Sequence, residues 1–187
     1  MAKISGELML KFMTENSIMV SLSEKSCRNI MDGSKTVIVM RTCPEVNKYM
    51  RREGDKLVSP RFSAFIFNKK LGVVGKCVVS MMHDRKVFSA GYGSNRHYRE
   101  DPEYYASVVR LLDETVDLQG TCLTIEEFRR LVGIREHGYF QIHSYERYAP
   151  ALSVDDFWIG WWGKNGEWTP GERFKYPKTW CYAIKKE

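Results

Sequence analysis

The chain has 187 residues, 43% hydrophobic and 28% charged, which suits a single packed domain of ordinary soluble composition. The N-terminal stretch has broken apolar runs instead of a leader's h-region, and no segment approaches the ~18 apolar residues of a membrane span. A secretory protein and a membrane partner are therefore not expected, while the net charge of +6 suits a polyanion without requiring one.

Five cysteines (Cys27, Cys43, Cys77, Cys122 and Cys181) form no C-x-x-C pair, and their number is odd. That pattern reads as reduced, buried thiols in a cytoplasmic protein. The four histidines show no ligand spacing, so neither a metal nor any other cofactor is expected. Charge is unevenly spread. Residues 41–61 hold Arg41, Lys48, Arg51, Arg52, Lys56 and Arg61, whereas residues 100–127 are rich in Asp and Glu. A basic face and an acidic region account for this, and so do two solvated helix faces.

In chain order, Ser17 to Leu22 reads as a short strand. Ser23 then caps a helix with Cys27, Ile30 and Met31 on one face, closed at Asp32-Gly33. Val37 to Met40 is a β-branched, buried strand. Glu45 to Glu53 reads as a short basic helix ending at Gly54. Phe62 to Phe67 and Val73 to Met82 form an antiparallel hairpin across a turn at 68–72, with Gly75 as a candidate bulge. Asp101-Pro102 opens a helix, and Thr124-Ile125-Glu126-Glu127 is a capping box for another, with Phe128, Leu131 and Val132 facing inward. Gly138 to Tyr148 reads as a strand, Ser153 caps a short turn, and Thr179 to Ile184 is the last strand. Strands and helices alternate too little for a doubly wound sheet. The order predicts an α+β fold: a small mixed or antiparallel β-barrel with flanking helices.

Several segments, in this order, resemble ASCH domains of the PUA-like superfamily. Ile30-Met31-Asp32-Gly33-Ser34-Lys35-Thr36-Val37 is similar to the family's helix and G-x-K-T turn into a strand that carries an arginine, here Arg41. Gly54-Asp55, Gly72-Val73-Val74-Gly75 and Leu123-Thr124-Ile125-Glu126-Glu127-Phe128 resemble its next turn, its hairpin strand and its second helix. Gly138-Tyr139-Phe140-Gln141-Ile142 and Tyr176-Pro177-Lys178-Thr179-Trp180 resemble its closing strands. The resemblance implies one PUA-like domain over 1–187, with core segments 17–82 and 121–185 and a helical insertion at about 84–120.

It also implies a partner: RNA more than DNA, or a modified nucleoside. Gly33, Lys35, Thr36 and Arg41 match the motif beside the family's barrel-mouth pocket, where lysine and arginine supply charge-assisted donors for phosphate or carbonyl oxygens. One branch of the family deacetylates N4-acetylcytidine, pairing the lysine with a threonine three residues on and a glutamate before the second helix. Here Ile38 takes the first place, and Asp117-Leu118-Gln119-Gly120-Thr121 has no glutamate in register. Binding therefore ranks above catalysis. A metal-independent nuclease or amidohydrolase using Lys35 and Thr36 is the rival. A third reading is a protein partner engaged by the acidic stretch 101–132.

All five tryptophans fall in the last thirty residues, and Gly160 to Trp168 reads as a loop mixing glycine, tryptophan and lysine. Trp161, Trp162 and Trp168 are candidates to stack on unpaired bases, with packing over the barrel end as the alternative. Arg51 and Arg52 are candidates for phosphate contact, and Trp180 reads as a packing residue. Gly91 to Arg96 mimics a phosphate loop without the flanking strand and helix that give it meaning. His143 lies on a strand with Gln141 and Tyr145 and reads as a core histidine.

Overall fold

The computed structural model describes residues 17–40, 51–53, 56–84, 118–132, 138–162, 168–170, 177 and 179–186. They fall into two compact units, one drawn from residues 1–33, 61–79 and 142–187, the other from 34–60 and 80–141. No described helix is long and apolar enough to cross a membrane.

The first unit is built on seven strands in the order β7-β6-β5-β1-β10-β8-β9. These are β1 (Ile18–Ser21), β5 (Phe62–Asn68), β6 (Gly72–Asp84), β7 (Gly138–Leu152), β8 (Phe157–Trp162), β9 (Trp168–Pro170) and β10 (Trp180–Lys185). Strands β1 and β5 run parallel, with Ile18 opposite Ala64, and the β1–β10, β10–β8, β8–β9 and β5–β6 pairs are antiparallel. Ile18, Met19 and Val20 are each at most 1% exposed, so β1 is covered on both faces. Alternation sends Met19 into a core with Phe65, Phe67, Val73, Phe157, Cys181 and Ala183. Phe65 and Phe157 meet edge to face at 4.8 Å within it.

Helix α1 (Glu24–Met31) opens on Ser23, whose hydroxyl accepts the Ser26 N–H at 3.2 Å, and buries Cys27 and Ile30. It packs against β5. The β5–β6 turn is held by Asn68, whose carboxamide oxygen accepts the Lys70 and Leu71 N–H groups before Gly72 turns the chain at φ +82°. The register slips between Ile66 and Phe67, whose partners are Gly75 and Val73, so Val74 is the extra residue of a bulge beside Gly75. A Cβ on Gly75 would drive into the Glu146 carbonyl and the Tyr145 ring, which explains the glycine.

The second unit holds β2 (Val37–Met40), paired antiparallel with the first residues of β7, and the hairpin of β3 (Arg51–Glu53) and β4 (Lys56–Val58). β4 also pairs with the end of β6, Val58 opposite Met82. Helix α2 (Ile125–Val132) starts at the expected capping box: Glu127 N–H donates to Thr124 Oγ1 at 3.1 Å and Thr124 N–H to Glu127 Oε2 at 2.9 Å. Phe128 packs with Val39, Leu118, Leu123 and Tyr139, its ring stacked 6.5 Å from that of Tyr139.

The α+β class stands, with a mostly stranded mixed sheet, but the barrel does not close among the described residues. The path ends at β9, a three-residue strand terminating in Pro170, which has no N–H for a further ladder. Arg51 to Glu53 is a strand rather than the end of a helix, because it pairs with Lys56–Val58 across Gly54-Asp55. Leu131 is 38% exposed and does not face inward. The expected loop at 160–168 is partly strand, since Trp161 pairs with Thr169 and Trp162 with Trp168. Most of the expected insertion, with the helix from Asp101, the Gly91–Arg96 stretch and the acidic residues up to 117, lies outside the described residues.

Candidate functional site

The G-x-K-T turn is laced to the loop that precedes α2. The N–H groups of Thr36 and Val37 both donate to the Gly120 carbonyl, at 2.8 and 2.9 Å. Gly120 sits at φ +72°, and a Cβ there would collide with the Thr36 hydroxyl, so this close approach needs glycine on both counts. The next residue, Thr121, is fully buried. Its hydroxyl donates to the Leu118 carbonyl at 2.7 Å and accepts the Leu123 N–H at 3.2 Å. Cys122 also takes a positive φ, +54°, and its Sγ lies 3.2 Å from the Ser34 carbonyl oxygen.

Lys35 is the centre of this arrangement. It is only 4% exposed, and its ammonium donates to the Thr121 carbonyl oxygen. Thr36, one residue on, is exposed, as expected for neighbours on an extended chain that point to opposite sides. The two side chains differ in exposure but meet the same loop, Lys35 at the Thr121 carbonyl and Thr36 against Gly120. Ile38 is buried at 1% exposure and supplies no hydroxyl. Glu127, in the first turn of α2, spends an oxygen on its helix cap. Gln141 reaches the turn from β7, its Nε2 3.3 Å from the Thr36 carbonyl.

The other candidates scatter. Arg51 and Arg52 are exposed on β3 in the same unit as Lys35. Arg41 lies outside the described residues. Trp161 belongs to the first unit: its ring packs against the Phe65–Phe157 core, and its Nε1–H donates to the Trp180 carbonyl at 3.0 Å. Trp162 and Trp168 are backbone partners in the β8–β9 ladder. His143 is exposed, not a core residue, and partial desolvation and the Arg61 charge hold its pKa below the ordinary value. Tyr145 donates its hydroxyl to the Val74 carbonyl at 3.0 Å.

With that geometry in view, comparison adds a likeness of fold. The chain is similar in structure to ASCH proteins. The ASCH protein of Zymomonas mobilis covers 76% of its own length against 75% of this chain, at 14% identity and a TM-score of 0.43. A point mutant of that protein covers 76% of its length against 74% of this chain, at 15% identity and the same TM-score. No protein-family model matches the chain, and no curated protein does.

The Thr121 hydroxyl directs its proton to the Leu118 carbonyl, and the Thr36 hydroxyl packs against Gly120. The loop residues Gly120, Thr121 and Cys122 were not singled out from sequence as partners of Lys35. Their signal is conformational, two successive positive-φ positions in three residues, and only the glycine announces it in the sequence.

Proposed function

We propose that this chain is a nucleic-acid-binding module, for RNA in preference to DNA, that takes an unpaired or modified base at Lys35. The observation that carries the reading is the burial of the Lys35 ammonium against a neutral backbone carbonyl. Desolvating a cation is expensive, so a fold that does so without a functional return is at a disadvantage. A lysine ammonium is a cation with three donors. Phosphate oxygens or a base carbonyl match that chemistry. The exposed Arg51 and Arg52 supply sequence-independent attraction for the backbone. Reduced thiols suit a reducing compartment, so the proposed place of action is the cytoplasm.

The test is a titration of the protein into fluorescent single-stranded RNA and DNA at low and high salt, with the probe checked for cleavage. Binding of intact probe that weakens steeply with salt supports the reading. Cleavage without added metal would replace it with the nuclease, and turnover of an acetylated nucleoside with the amidohydrolase. No binding at micromolar protein would remove the polynucleotide ligand altogether.

A further inference from the structure

The first unit carries an aromatic and cationic surface that the Lys35 site does not use. In β8 and β10, Trp158 stands opposite Ile184 and Gly160 opposite Tyr182. Cross-strand partners share a face, so Trp158 and Tyr182 lie on one side of the sheet, with Trp180 two residues along from Tyr182. The core formed by Phe157, Cys181 and Ala183 lies on the other side. Trp180 and Tyr182 hold each other edge to face, centroids 5.4 Å apart at 85°. Both are half-buried, whereas Trp158 is 45% exposed, a large ring left in water on a strand whose next residues are covered.

Over the Trp158 ring sits the Lys186 ammonium, 4.6 Å from the centroid, steadied by a 2.7 Å hydrogen bond to the Asp155 carbonyl. Lys185, one residue earlier, alternates to the other face, where its ammonium lies 5.6 Å from the Tyr148 ring centroid. The aspartates of the preceding turn are occupied locally: Asp156 Oδ2 accepts the Ser153 N–H at 2.9 Å, and Asp155 Oδ2 lies 3.5 Å from Ser153 Oγ. An exposed indole with a fixed cation at its face combines the two elements of single-strand recognition. A flat ring stacks on a base, and an ammonium meets the neighbouring phosphate.

We propose that the β8–β10 face around Trp158 is a stacking surface for an unpaired nucleobase, with Lys186 engaging the adjoining phosphate. The ligand class rests on the nucleic-acid reading above, but the site is separate, in the other unit. A polyanion of stacked rings fits it by charge: the exposed ring carries a lysine at its face in a chain of net charge +6.

The test compares wild type, Trp158→Ala and Trp158→Phe for a short fluorescein-labelled oligouridylate and for heparin, a polyanion without bases. Trp158→Ala should weaken oligouridylate binding about 5- to 100-fold. Trp158→Phe should keep most of the affinity, and heparin binding should not change. Equal oligouridylate affinity in wild type and Trp158→Ala overturns the stacking surface while leaving the Lys35 reading intact. Parallel loss of heparin and oligouridylate binding also overturns it, since the ring would then act only through the fold. Failure of the wild type to bind oligouridylate sinks both readings.

Discussion

Replacing Lys35 by methionine separates a binding role from a structural one. Methionine keeps an unbranched stem of similar length and removes the charge. In the protein, Lys35 is 4% exposed and donates to the Thr121 carbonyl. Leaving that carbonyl without its donor costs about 1–3 kcal/mol. Removing the buried charge returns its desolvation cost, which offsets part of that loss. Lys35→Met should therefore unfold in urea within about 1–2 kcal/mol of wild type. Binding should behave differently. One charge-assisted contact to ligand contributes about 1.5–3 kcal/mol, so affinity for single-stranded RNA should fall on the order of 10- to 100-fold. If the contact is to phosphate, the salt slope should also shrink by about 0.7, and if it is to a base carbonyl the slope should hold. Fluorescence anisotropy at several salt concentrations reads both quantities, and circular dichroism reads the unfolding. Unchanged affinity would refute the ligand contact, and destabilisation beyond about 3 kcal/mol would make the ammonium a strut of the fold.

Three further outcomes follow from the same geometry. The double change Arg51→Gln, Arg52→Gln should reduce the salt slope for single-stranded RNA by about 1.4 while leaving the urea midpoint nearly unmoved, since both side chains are exposed on β3. Phe128→Ala, at a ring 1% exposed, should lower unfolding free energy by about 3–5 kcal/mol, read as an earlier urea midpoint. Burial pushes the Cys77 and Cys181 thiols up to about 12, from 9.0. Below pH 9 both states are protonated and stability is intact. Above it the unfolded chain ionises first, and stability falls by about 1.4 kcal/mol per pH unit for each thiol until the folded form ionises. Urea unfolding between pH 9 and 11 should thus be flatter in Cys181→Ala by about one such increment per unit, and an unchanged slope would contradict the burial effect.

The parts legible in the sequence were those governed by local chemistry. Ser23 and the Thr124–Glu127 box mark their helices because a hydroxyl or carboxylate there captures an otherwise unpaired N–H. The bulge at Gly75 was legible because a glycine within a β-branched run asks what approaches its backbone, and the answer is the Glu146 carbonyl. What escaped was set by pairing across long stretches of chain. Arg51 to Glu53 has a helix-compatible composition, and only its partner at Lys56–Val58 makes it a strand. Trp161 and Trp162 sit among glycines that suggest a loop, yet β9 draws them into a ladder and the core takes the Trp161 ring. Trp158, the large aromatic most exposed to solvent among those described, has no local signal for that exposure, since Phe157 and Gly160 on the same strand are buried.

The alternation at Lys35 and Thr36 bears on the choice between binding and hydrolysis more than any resemblance does. A hydrolase built on this turn needs a hydroxyl or carboxylate within proton-transfer reach of the ammonium. The chain offers an exposed Thr36 whose hydroxyl packs on Gly120, Ile38 in place of a hydroxyl, and a Thr121 hydroxyl whose proton goes to Leu118. Recruiting Thr36 would require a one-residue slip of β2 against β7. That slip would turn Val37 and Val39 away from their present face and break the Val39–Phe128 contact beneath α2. The β2–β7 register that places Lys35 and Thr36 is thus tied to the packing beneath α2.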